Sequence, residues 1–117
     1  MAKEQTTTTK KDEVLTIEGK GRDNLGIDNK GTLVITGNVG DIVGVLNEGT
    51  IIVIGNAGNA VGYRNYGTII VNGTIKELDK KASGTIIAGD VKKANGRPWL
   101  NMAIKLNAKT YRAWHKE

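Results

Sequence analysis

The stretch that most invites a chemical reading is Gly55-Asn56-Ala57-Gly58-Asn59-Ala60-Val61-Gly62, a glycine-rich run of the kind that cradles phosphate. Phosphate loops need a helix directly after them, because the helix N-terminus faces the anion. Here a strand-like segment follows, and a matching run, Gly37 to Gly44, stands earlier in the chain. A repeated glycine pattern reads as a structural turn. The sole histidine, His115, lies beside the C-terminus, so no general base for neutral pH stands in the middle of the chain. Asp41, Glu48, Asp79 and Asp90 lack the alternating oxygen-ligand spacing of a calcium loop and read as surface charge. There are no cysteines, which excludes disulfides and thiolate metal sites. Asn72-Gly73-Thr74 is a formal glycosylation sequon without a secretion signal beside it. The expectation is a protein that is not an enzyme, with no catalytic residue, no metal and no cofactor.

Charge offers a second lead. Residues 1–30 carry six basic and six acidic side chains, residues 31–91 four and five, and residues 92–117 seven and one. The net +5 of the chain therefore belongs to its C-terminal quarter. Lys92, Lys93, Arg97, Lys105, Lys109, Arg112 and Lys116 are the candidates for an anionic partner, with Trp99, Tyr111 and Trp114 placed among them. Basic residues with interleaved aromatics suit nucleic acid or an anionic surface.

The elements that would position any of these residues come from an internal repeat. Asn29-Lys30-Gly31-Thr32-Leu33-Val34-Ile35, Asn47-Glu48-Gly49-Thr50-Ile51-Ile52-Val53 and Asn65-Tyr66-Gly67-Thr68-Ile69-Ile70-Val71 align without gaps as an 18-residue repeat. The frame extends backward through Leu15 and Ile17, and forward to Ser83-Gly84-Thr85, one residue early. Three to four coils result. Thr32–Thr36, Thr50–Ile54 and Thr68–Asn72 are short β-branched runs bounded by glycine, which is strand chemistry. Alternation puts Leu33 and Ile35, Ile51 and Val53, Ile69 and Val71 on one inward face. A six-residue period, Ile27, Leu33, Val39, Val45, Ile51, Ala57, Tyr63, Ile69 and Ile75, predicts three sides per coil with these residues inside. Asn29, Asn47 and Asn65 should stack at a bend, their amides bonding along the stack.

The runs Gly37–Gly44 and Gly55–Gly62, each preceded by Gly-Thr and a branched-aliphatic stretch, resemble a known glycine-rich β-helix repeat. It is found in one of the subunits of formylmethanofuran dehydrogenase and in the C-terminal domain of the glutamate synthase large subunit. The likeness spans about residues 29–75. It implies a right-handed parallel β-helix that serves as scaffold in a larger assembly, with the redox chemistry housed elsewhere. The hexapeptide-repeat acyltransferases also have 18-residue coils. The residue after each inward aliphatic in that family is small or acidic, whereas here it is Val34, Leu46, Ile52, Arg64 or Ile70. An acyltransferase is the weakest reading.

The expected fold is all-β, a short single-stranded parallel β-helix (solenoid), with a C-terminal amphipathic helix. Residues 1–11 are expected to be a disordered tail, 12–97 the solenoid, and 98–117 a basic helix that opens on Pro98 and caps the stack or docks in an interface. Val34, Ile52 and Ile70 point outward when their neighbours point in, and Ile54 extends the row. Such an uncharged aliphatic ladder predicts lateral self-association into a homo-oligomer. The resulting expectation is a cytoplasmic structural or interaction protein without a membrane span. Nucleic-acid binding through the basic C-terminal face is the alternative, and end-to-end polymerisation or binding of a different protein are further options.

Overall fold

The computed structural model describes residues 8–102, and all of its regular structure is β. Six strands, β1 (Val14–Glu18), β2 (Thr32–Thr36), β3 (Thr50–Ile54), β4 (Thr68–Glu77), β5 (Thr85–Lys93) and β6 (Leu100–Asn101), form one parallel sheet in sequence order. Parallel neighbours in chain order, each one circuit further on, make a solenoid of about four turns. Val14 pairs with Thr32 and Thr32 with Thr50, then Thr50 with Thr68, the full repeat each time. Thr68 pairs with Thr85, the one-residue shortening that Ser83-Gly84-Thr85 signals in the sequence.

Alternation along these strands buries one residue column and turns the next away. Leu33, Ile35, Ile51, Val53, Ile69 and Val71 are fully buried, with Ile86 and Ala88 continuing their columns. A second side stacks Val39, Ala57, Ile75 and Val91. Val39 N–H donates to Asn56 O, Ala57 bridges Ile75, and Ile75 pairs with Val91.

The third side departs from the six-residue period. Ile27 is 41% exposed, and Val45 and Tyr63 are only partly buried. The inward positions are instead Leu25, Val43 and Val61, two residues earlier, all essentially inaccessible. Backbone twist explains the shift. Asn24, Ile42 and Ala60 lie at φ 62, 61 and 57, and Gly26, Gly44 and Gly62 at φ 77, 78 and 87, so left-handed residues flank each inward one. A left-handed residue reverses the local turn of the chain, and side-chain parity does not carry through it. Gly26 is doubly required, because a Cβ there would also strike Ile51 Cδ1.

Asn29, Asn47 and Asn65 are completely buried and stack as expected. The Asn29 amide donates to Asn47 Oδ1 (3.0 Å), and the Asn47 amide to Asn65 Oδ1 (2.9 Å). Each amide also donates to the carbonyl two residues on, those of Gly31, Gly49 and Gly67. At the top of the column Thr9 takes the place of another asparagine. Its N–H donates to Asn29 Oδ1 at 2.9 Å, its hydroxyl donates to the same oxygen, and its carbonyl accepts from Lys30 N–H. Thr9 is therefore buried and held by the stack, which moves the start of the solenoid ahead of residue 12; residues 1–7 lie outside the described residues.

The C-terminal end also differs from expectation. The basic helix predicted from Pro98 does not begin there: Leu100–Asn101 pairs with Ile87 and Ala88, and Met102 N–H donates to Ala88 O. The edge of β5 offers unpaired backbone groups, and satisfying them outweighs the helical periodicity at these positions. Trp99 packs on the core, Arg97 Nε donates to Ala82 O, and the Asn95 amide donates to Leu78 O, so residues 95–99 close this end. The remainder of the predicted helix, 103–117, lies outside the described residues.

Two outcomes test this packing. Val53→Asp places an unpaired carboxylate in the interior and should unfold the protein, whereas Thr50→Asp, on the outward side of the same strand, should cost about 1 kcal/mol or less. Urea titration by circular dichroism compares them. Ile42→Asn should raise stability by about 1 kcal/mol, because a β-branched residue at φ 61 gives way to the type that Asn24 supplies one coil earlier.

Candidate functional site

The glycine run Gly55–Gly62 forms a coil corner, and the N–H groups of Asn56 to Asn59, Val61 and Gly62 donate to neighbouring coils. Gly58 N–H donates to Gly40 O (2.9 Å) and Asn59 N–H to Asp41 Oδ1 (2.7 Å). Asn56 N–H donates to Asn38 Oδ1 (2.9 Å). Each of these donors is spent on the preceding coil, so none converges on an anion. The carboxylates are similarly engaged. Asp41 supports the turn of the next coil, Asp79 Oδ1 accepts from Lys81 N–H, Asp90 faces Lys92, and Glu48 pairs with Lys30. Lys30 lies between Asp28 (3.2 Å) and Glu48 (3.3 Å), and hydrogen bonding to Asp28, then to Glu48, holds its pKa above the usual 10.5. Among the described residues no three His, Cys, Asp or Glu side chains come together to hold a metal.

The aliphatic ladder faces away from the interior, as parity requires, but it is not a surface. Val34, Ile52 and Ile70 are 7%, 2% and 5% exposed and make a second apolar cluster. Ile54, Ile87 and Met102 pack against that cluster. Successive rungs stack Val34 on Ile52 and Ile52 on Ile70, and Ile54, Ile87 and Met102 flank the row. Val34, Ile52 and Ile70 are therefore buried side chains and Ile54 a half-buried one, not the exposed row that strand parity alone suggests.

The cations do not assemble into one patch among the described residues. Lys93 pairs with the partly buried Glu77 at 3.7 Å, and Lys92 with Asp90 at 3.9 Å in an exposed contact of small energetic weight. Arg97 is partly buried and turned onto a backbone carbonyl. Lys105, Lys109, Arg112 and Lys116, with His115, lie outside the described residues. No helix among the described residues is long and apolar enough to cross a membrane.

The open feature is one that the repeat pattern does not single out, the free edge of β1. Thr32 N–H donates to Glu13 O and Gly19 N–H donates to Thr36 O, both at 2.8 Å. In a parallel ladder these bonds fix which residues face the neighbour: 13, 15, 17 and 19 turn their backbone groups to β2. Val14, Thr16 and Glu18 consequently point their N–H and C=O groups away from the sheet. Among the described residues no strand lies beyond β1. Val14 is 70% exposed, and Leu15 and Ile17, which head the two interior columns, are only half-buried. The signal for this is present in the chain. Leu15 and Ile17 open the repeat frame in the sequence.

The burial of the ladder has a measurable consequence. Ile52→Lys should destabilise the fold by about 3 kcal/mol or more, since it puts an ammonium into an enclosed apolar cluster. A shift of the urea midpoint checks it. Unchanged stability would return the ladder to the surface.

Comparisons with family models, with curated proteins and with solved structures find no match to this chain.

Proposed function

We propose that this protein is a structural interaction module, a small β-solenoid that assembles through the open edge of its first strand. One observation carries the reading: β1 ends a six-stranded parallel sheet with the backbone groups of Val14, Thr16 and Glu18 turned outward and two interior columns half-covered. Unpaired sheet edges are templates for strand addition, and soluble domains usually blunt them with a bulge, a proline or a covering element. β1 has none of these among the described residues. The resemblance of the coils to the glycine-rich β-helix repeat points the same way, since that repeat acts as scaffold. A scaffold role is also consistent with corners whose glycines and carboxylates are committed to coil stacking.

Light scattering across a concentration series tests the reading. The wild-type chain should exceed its 12.5 kDa monomer mass. Thr16→Pro should return it to monomer with an unchanged β-type circular dichroism spectrum, because proline removes an outward N–H that the ladder to β2 does not use. A wild type that stays monomeric at high concentration would sink the proposal.

A further inference from the structure

The edge of β1 is complementary to itself, and we infer that its occupant is the β1 strand of a second copy, joined antiparallel across a twofold axis at Thr16. This rests on the reading of β1 as the assembly edge and adds the partner, the orientation and the register.

Parity is the first argument. An antiparallel pair centred on one residue makes that residue bond reciprocally to its counterpart, and the residues two before and two after it do the same with each other. Centring on Thr16 matches Thr16 with Thr16 of the second copy and Val14 with Glu18. These are the three residues whose backbone groups face outward. The same register sets Leu15 opposite Ile17 of the second copy on the inward side. The half-buried heads of the interior columns then cover one another, and the two cores become continuous.

The two ends of the solenoid supply the second argument. Head-to-tail stacking would set β1 against β6, but β6 is two residues long and its end is closed by Trp99 against the core. β1 offers five residues above the half-buried Leu15 and Ile17. Pairing β1 with itself uses the longer edge on both sides, and a contact that uses one patch twice closes at two copies.

Single-cysteine variants test the arrangement, because the natural chain has no cysteine. Residues facing each other in a hydrogen-bonded antiparallel pair have Cα atoms about 5.5 Å apart, within the range a disulfide spans. Thr16→Cys, oxidised with copper phenanthroline, should convert most of the protein to a species of twice the chain mass that reverts on reduction. Glu18→Cys should not, since its counterpart is Val14, whereas the double variant Val14→Cys, Glu18→Cys should. Cross-linking of Glu18→Cys as efficient as that of Thr16→Cys would overturn the register. A wild type that scatters as an oligomer while Thr16→Cys fails to cross-link would overturn the twofold pairing and leave assembly through the edge standing. Mass that grows without limit with concentration would favour head-to-tail stacking and likewise refute the inference. A monomeric wild type would refute both readings.

Discussion

A buried side-chain amide must satisfy two donors and two acceptor lone pairs, and in this protein it does so by reaching one coil in each direction. The Asn47 amide nitrogen donates to Asn65 Oδ1, Gly49 O and Thr68 O, while its oxygen accepts from the Asn29 amide and from Gly49 N–H. At a position this deeply buried, a slip of one residue would strand several of these groups, at about 1–3 kcal/mol each. The column therefore fixes the register of neighbouring coils, and with it the parity of every strand. Close stacking at the same corner depends on glycine, since a Cβ on Gly49 or Gly67 would collide with the carbonyl of the coil before it. Where the asparagines stop, the period loosens. Ser83 meets Asn65 through its carbonyl and hydroxyl, Thr68 pairs one residue early with Thr85, and β4 and β5 change register between Val71 and Thr74. One step later Ile87 pairs with Leu100, well short of a full coil.

That column explains which parts of the fold are legible in the chain. The repeat frame, the strands from Thr32, Thr50 and Thr68, and their inward columns follow from identity at fixed spacing, because stacked identical residues meet identical surroundings. The third side escapes the pattern for a local reason. Ile27, Val45 and Tyr63 continue a numerical period, but left-handed residues at 24, 26 and 28, and at the matching positions of later coils, break the geometry that gives a period meaning. Nothing in the types Ile42 or Leu46 announces a positive φ, and only the glycine between them does. The ends are least legible. Thr9 reads as part of a threonine-rich tail, yet it completes the asparagine column, a role visible only once the coil above Asn29 is seen to need a hydrogen-bond partner there. For the outward ladder the sequence settles direction but not exposure. Strand parity decides which way a side chain points, and packing across rungs decides whether it is covered.

A solenoid buries each coil against its neighbours, so its unsatisfied groups collect at the two ends. The chain treats those ends differently. The last coil is shortened, and Asn95, Arg97 and Trp99 turn back to satisfy carbonyls and cover apolar side chains. At the first coil Thr9 completes the asparagine corner, while among the described residues no strand pairs with the outer edge of β1 above two interior columns. This asymmetry is the reason to look for function at one end and not along the sides.

The sides give independent grounds for the same conclusion. Corner N–H groups that resemble an anion cradle in sequence donate to the coils on either side, and Asp23 and Asp41 accept from the coil after. Stacking converts the hydrogen-bonding capacity of the glycine-rich turns into cohesion, coil by coil. What a stack cannot internalise is the outer rank of backbone groups on its terminal strand. A partner that supplies a strand there gains directional bonds whose positions are already set by the coils beneath, so it loses little entropy in organising them. In the assembly proposed above, the rigidity that the asparagine column gives the solenoid is the property that would make the β1 edge specific.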